Sequence, residues 1–165
     1  MGGAPPDRPL HRRRRAENFA FMNLNHQDTK APRFGETFSP VSAELDRLAK
    51  ETVDAAFKVH STLGPGLLES VYEICLAHEL KKRGLRFQTQ VSFPVGYDDV
   101  RLDAGLRMDL LVEDELVVEL KAVETMLPLF EAQLLTYLKL TRKRLGLLIN
   151  FNAPKIKDGI KRIVL

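Results

Sequence analysis

Apolar residues recur at helical spacing from Leu45 onward: Leu45, Leu48, Ala49, Ala56, Val59 and Leu63 share one stripe. That period predicts a first helix, N-capped by Ser42 and running to about Leu63. "GPG" at Gly64–Gly66 ends it. A second stripe, Val71, Cys75, Leu76 and Leu80, predicts a helix from about Leu68 to Lys82, stopped by Gly84. The pattern then changes period. Phe87–Tyr97, Arg101–Val112 (interrupted near Gly105) and Glu115–Ala122 read as strands, and "YDDV" and "VEDE" between them read as turns. Together they predict an antiparallel meander. Helical spacing returns over Leu127–Thr141, aiming Phe130, Leu134 and Leu138 at the sheet. "LGLLINF" at Leu145–Phe151 is an unbroken apolar run, the mark of a buried strand in a parallel pair after a crossover helix. Ile160–Leu165 adds an edge strand. The order is α-α-β-β-β-α-β-β, an α/β domain over residues 41–165.

Residues 1–40 break this regularity. They show no sustained period, are rich in Pro, Arg and Asn, and read as a disordered basic extension. The alternative is a leader ahead of a true start at Met22. This segment changes how the net charge of +3 should be read, because it holds seven Lys/Arg against four Asp/Glu. The remaining 18 basic and 18 acidic residues balance, so the domain itself is formally neutral. The run Arg12–Arg15 can hold nucleic acid or an acidic surface, or serve only as a solvated tail. No apolar run approaches the roughly 18 residues of a membrane helix. No secretory signal pattern is present. The single cysteine, Cys75, excludes an internal disulfide and any CxxC metal or redox motif, and the expected compartment is the cytoplasm.

One strand carries charges that its pattern does not call for. In "ELVVELKAVE" (residues 115–124), Leu116, Val118 and Leu120 form one face, while Glu119 and Lys121 share the other. Burying a charge costs several kcal/mol unless it is paired or binds a metal. One strand earlier, Asp109 stands alone in "GLRMDLLV". A two-residue turn at Glu113–Asp114 puts Asp109 opposite Val118. A three- or five-residue connection, or a bulge, puts it opposite Glu119, and only then do the two acids share a face. Two converging carboxylates require a proton or a cation between them. An all-oxygen donor set fits Mg²⁺ or Mn²⁺ better than zinc. The competing reading is a surface Glu–Lys pair on a solvated strand.

"GLLESVY" at 66–72, taken with "MDLLVEDELVVELKAVE", strongly resembles the GxxExxY family within the PD-(D/E)XK nuclease superfamily. Gly66, Glu69 and Tyr72 carry the first motif; Asp109, Glu119 and Lys121 carry the second. "QLLTY" adds Gln133 and Tyr137, similar to the QxxxY helix motif of the RecB-like nucleases, and "IKDGIKRIVL" resembles the family's terminus. Met108 stands where the superfamily motif has proline, a change that leaves the coordinating acid intact.

The resemblance implies a restriction-endonuclease-like three-layer core, a mixed β-sheet flanked by helices. It implies a Mg²⁺- or Mn²⁺-dependent nuclease that hydrolyses phosphodiester bonds in nucleic acid, DNA favoured over RNA. Asp109, Glu119 and the carbonyl of Leu120 would be metal ligands, and Lys121 the catalytic lysine. Glu69 would be a further metal or water ligand, and Gln133 and Tyr137 would position the substrate phosphate. The cysteine set of the iron–sulfur relatives is missing, so no cluster is expected. A homo-oligomer is open. The alternative function is a catalytically silent nuclease-fold module that binds nucleic acid or a protein partner. Tyr72 and Cys75 are expected in the core, Gly66 at the helix break, and Glu73 in solvent. His60 is read as a helix-end residue or a phosphate contact. The basic groups Lys81, Lys82, Arg83 and Arg86, and Arg142, Lys143 and Arg144, either meet nucleic acid or cap helix ends.

Overall fold

The Ser42 hydroxyl accepts the N–H of Leu45 at 3.2 Å and starts helix α1, Ala43–Leu63, in the computed structural model, which describes residues 40–165 apart from the side chain of Ala104. Glu44 and Asp46 in the first turn complement the helix dipole. Leu45, Leu48, Ala49, Ala55, Ala56 and Val59 are buried along one stripe, whereas Leu63, expected on it, is exposed. The chain turns through Gly64 and Gly66, both at positive φ (72° and 100°), into α2, Glu69–Lys82. Its fully buried stripe is Tyr72, Leu76 and Leu80; Val71 and Cys75 lie half-buried beside it.

The strands are β1 (Phe87–Tyr97), β2 (Val100–Val112), β3 (Leu116–Lys121), β4 (Leu145–Asn150) and β5 (Ile160–Val164). Helix α3, Pro128–Thr141, connects β3 to β4, and a 3-10 turn at Ile156–Gly159 precedes β5. The five strands lie in chain order, antiparallel except for the parallel pair β3–β4. A parallel pair needs a crossover, and α3 supplies it. Both members of that pair are nearly continuous apolar runs with helices on both faces. On one face, Leu116, Val118 and Leu120 pack with α1 and α2 around Tyr72 and Phe151. On the other, Val117 and Leu148 pack with Leu134 and Leu138 of α3. This is the expected three-layer α/β architecture in the expected order.

The β2–β3 connection sets the register that the site requires. Glu115 N–H reaches Val112 carbonyl at 3.0 Å, and Glu113 and Asp114 both take positive φ (50° and 57°), as a type I′ turn demands. Glu115 is then one extra residue, so Val112 pairs with Leu116, Leu111 with Val117 and Leu110 with Val118. The same ladder continued by one residue brings Asp109 opposite Glu119. Glu113 is not a residue that favours positive φ, but Arg86 anchors it. Arg86 N–H and Nε–H donate to its two carboxylate oxygens, each at 2.8 Å, and Glu113 N–H donates to Arg86 carbonyl at 2.8 Å.

The long β1–β2 hairpin is less regular than its sequence predicts. Its register shifts between Phe93 and Val95, opposite the Leu102–Leu106 segment. Strand β2 is continuous there, and a side chain at Gly105 would meet Val95 Cγ2 at 2.4 Å, so only glycine fits. A second irregularity falls at Gln90, whose φ is 52° in mid-strand. Below it, Leu110, Val112 and Phe87 belong to the α1/α2 face; above it, Leu106, Met108, Val91 and Phe93 belong to the α3 face. The hairpin exchanges faces at this point, and Asp109 sits at the exchange.

Candidate functional site

Residues 119–121 sit where β3 leaves the sheet. Alternation along β3 turns Glu119 and Lys121 toward the α3 side with Val117, while Leu120 points into the opposite core. Glu119 is only 3% exposed, and one of its carboxylate oxygens, Oε2, is buried without a hydrogen-bond partner. Its other oxygen accepts from Lys121 Nζ at 2.8 Å. The same ammonium donates to the Leu120 carbonyl at 2.9 Å and lies 5.4 Å from the centre of the Phe130 ring. Across the hairpin, Asp109 Oδ2 accepts the Leu120 N–H at 2.8 Å. That bond takes over from the backbone ladder one residue beyond Leu110–Val118 and fixes the Asp109 carboxylate at the strand end.

The charges are strongly coupled. Burial, then the neighbouring Asp109 carboxylate, pushes Glu119 up to about 7, against the pull of Lys121. Burial alone would lower Lys121, but its hydrogen bond to Glu119 and the charges of Glu119, Asp109 and Glu69 outweigh that and raise it. Glu69, in the first turn of α2, comes from the other layer to the same strand end. Its carboxylate feels Lys121, Asp109 and the Ala122 backbone N–H. Partial burial and then Asp109 raise it, although the residue as a whole is exposed.

Tyr72 explains how Glu69 is presented. Its ring is fully buried and stacks on Phe151, with centroids 4.6 Å apart and planes inclined by 7°. Its hydroxyl donates to Gly64 carbonyl at 2.7 Å and accepts Leu67 N–H at 3.1 Å, tying down the turn that precedes Glu69. On α3, Gln133 and Tyr137 are half-buried and bonded to each other, Nε2 to hydroxyl, at 2.7 Å. Phe130 lies three residues before Gln133 on the same stripe and brings α3 to Lys121.

The structure thus brings Asp109, Glu119, Leu120, Lys121 and Glu69 to one strand end, with α3 alongside. Among the described residues, no three His, Cys, Asp or Glu side chains already form a metal-holding group. Lys121 Nζ instead bonds to two of the expected ligands. The donors nevertheless suit a hard divalent cation: all are oxygens, two carboxylates repel, and one buried oxygen has no partner.

Several residues differ from their expected settings. Glu73 is half-buried, and its Oε2 accepts from Gln90 Nε2 at 2.5 Å. His60 Nε2 bonds with the carbonyl of Ala153 at 2.9 Å, joining α1 to the segment after β4. Of the basic groups, Arg86 pairs with Glu113, Lys82 with Glu79 and Lys143 with Asp114. The sequence expects Phe130 only to face the sheet, yet its place on the Gln133–Tyr137 stripe is a usable signal for its contact with Lys121. The expected extension at residues 1–40 lies outside the described residues, except Pro40. Among the described residues, no helix is long and apolar enough to cross a membrane.

Residues 46–163 match the family model of the PD-(D/E)XK nuclease superfamily. No curated protein and no solved structure matches the chain.

Proposed function

Because the chain belongs to the PD-(D/E)XK nuclease superfamily, we propose that it is a Mg²⁺- or Mn²⁺-dependent nuclease of the GxxExxY group that hydrolyses phosphodiester bonds in DNA. The observation that carries this reading is the buried, unpartnered oxygen of Glu119 beside Asp109 and Lys121. A purely structural Glu–Lys pair would satisfy both carboxylate oxygens or leave them in water. The GxxExxY assignment is supported by the division of labour within its first motif. Gly66 permits the turn, Tyr72 ties it down, and Glu69 reaches the strand end.

Asp109, Glu119 and the Leu120 carbonyl would hold the cation, with Glu69 as a further ligand to it or to water. The cation would supply Lewis-acid activation and neutralise charge developing on a phosphate oxygen. Lys121 presents a fixed positive charge where the attacked phosphate would lie, within a site that excludes much of the solvent. Its present contacts with Glu119 and Leu120 keep the ammonium at the strand end until substrate arrives. Gln133 and Tyr137 offer an amide and a hydroxyl to the phosphate backbone, contacts that position without reading sequence. The domain, taken as residues 41–165, is formally neutral, so binding should be modest and fall steeply with salt.

Purified protein is expected to cleave DNA with Mg²⁺ or Mn²⁺, to stop in EDTA, and to lose activity in Glu119→Ala and Lys121→Ala. A panel of linear, circular, single- and double-stranded DNA with matched RNA defines the substrate. Cleavage that persists in both variants marks a contaminant and ends this reading. Binding without turnover on every substrate replaces it with a silent nucleic-acid-binding module.

A further inference from the structure

The end of β4 carries a buried polar residue that the chemistry above leaves unused. Asn150 is 3% exposed and follows the fully buried run Leu145–Ile149. Its register partner on the parallel neighbour is Lys121. Asn150 Oδ1 accepts the N–H groups of Val123 and Asn152, each at 3.1 Å, and its Nδ2 donates to the Val123 carbonyl at 2.8 Å. Both backbone polar groups of Val123 therefore close on one side chain. The next residue, Phe151, donates its N–H to the Lys121 carbonyl at 2.8 Å.

These bonds pin residues 121–123 on the side that faces β4. In an extended chain, successive N–H groups point to opposite sides. With Lys121 and Val123 held toward β4, the N–H between them, that of Ala122, is turned away, on the side from which it acts on the Glu69 carboxylate. The other half of that contact depends on the same dipeptide. The Phe151 ring stacks on Tyr72, which fixes the turn before α2 and hence the place of Glu69 in its first turn. One neighbour orients the donor and the other seats the acceptor.

We propose that Asn150 is a positioning residue for Glu69, acting through the backbone at Val123 and Ala122, and that Asn150–Phe151 forms the seat of the Glu69–Ala122 contact. The inference rests on the reading of Glu69 as part of the cation and water site and extends it to a residue that touches neither cation nor substrate. Residues that orient ligands in this way typically contribute about 10–100-fold in metal affinity or activity.

The test compares Asn150→Ala and Asn150→Asp, each in the wild-type and Glu69→Gln backgrounds. Asn150→Asp is isosteric and still accepts from Val123, so it carries the comparison if the alanine variant fails to fold. Three readouts are taken: exchange protection of the Ala122 amide without metal, Mn²⁺ affinity by calorimetry, and kcat and KM on DNA. In the wild-type background, the expected result is lost Ala122 protection, about 10-fold or more weaker Mn²⁺ binding, and a lower kcat at little-changed KM. In the Glu69→Gln background the same changes at Asn150 should cost little further affinity or kcat, while any loss of thermal stability stays the same. Unchanged Ala122 protection, or full additivity with Glu69→Gln, overturns the proposal. If the wild type binds no Mn²⁺ and cleaves nothing while Ala122 responds as expected, the nuclease reading falls and the seat stands.

Discussion

The two faces of β3 are built from alternate residues of one hexapeptide, yet they do opposite things. Leu116, Val118 and Leu120 are fully buried against α1 and α2, where apolar contact is all that the packing asks. On the α3 side, Val117 begins in the same manner, but Glu119 and Lys121 follow, and a carboxylate oxygen is left buried without a partner. The first face supplies stability, and the second gives some of it up. A strand end is where this division is cheapest, because the ladder is already giving way to side-chain bonds such as Asp109 to Leu120.

Substitutions that act on only one face give the sharpest contrast. Lys121→Ala should lower kcat by about 10²–10³-fold, the scale for removing a preorganised electrostatic group, and, because Glu119 can then take up a proton, should cost less stability than a core truncation. Steady-state cleavage and a thermal melt on the same sample check both halves. Leu120→Ala, one residue away and facing the other core, should cost about 2–5 kcal/mol of stability, measured by urea unfolding. A large stability loss at Lys121 would erase the distinction between the faces.

Proton linkage separates the faces in a second way. Glu119 is raised from 4.5 to about 7, so the folded protein holds that proton more tightly than the unfolded chain. The resulting contribution is complete below pH 4.5 and is lost as pH rises through about 7, amounting to about 3 kcal/mol. Glu69 is shifted in the same direction. Metal-free protein should therefore lose melting temperature between pH 4.5 and 7.5. Glu119→Gln should flatten that slope, and at pH 8 should be more stable than wild type while inactive. An equally steep slope in Glu119→Gln would show that the buried carboxylate is not its source.

The smallest expected effect lies on α3. Tyr137→Phe removes the hydroxyl that accepts from Gln133 and should raise KM several-fold, about 1 kcal/mol, with kcat nearly intact. A collapse of kcat would move Tyr137 from holding substrate to the chemistry itself.

The elements were legible because each has a distinct period. The α1 stripe, the Phe87–Tyr97 strand and the Leu145 run all stand where spacing put them, within a residue or two at their ends. The candidate site stands out where charge interrupts an apolar pattern, at Asp109, Glu119 and Lys121, which the structure brings to one strand end. What stayed hidden depends on contacts across layers. The positive φ of Gln90, the register shift between Phe93 and Val95 and the half-burial of Glu73 beside Gln90 depend on pairing across the long hairpin and on its contact with α2, which no local period records. Asn150 could have been noticed by the signal that marked Glu119, a polar residue closing a buried strand. Its partner, Val123, lies 27 positions earlier, beyond the reach of any local pattern.

The Glu113–Glu115 turn bears on which changes a lineage of such proteins can survive. Surface turns are ordinarily where chains gain or lose residues with little harm. Here a one-residue deletion would leave a two-residue link and bring Val118, rather than Glu119, opposite Asp109. Substitutions compatible with positive φ would pass, but a change of length would separate the proposed site's two acids while leaving every one of its residues in the sequence. What descent has to preserve in this turn is a count.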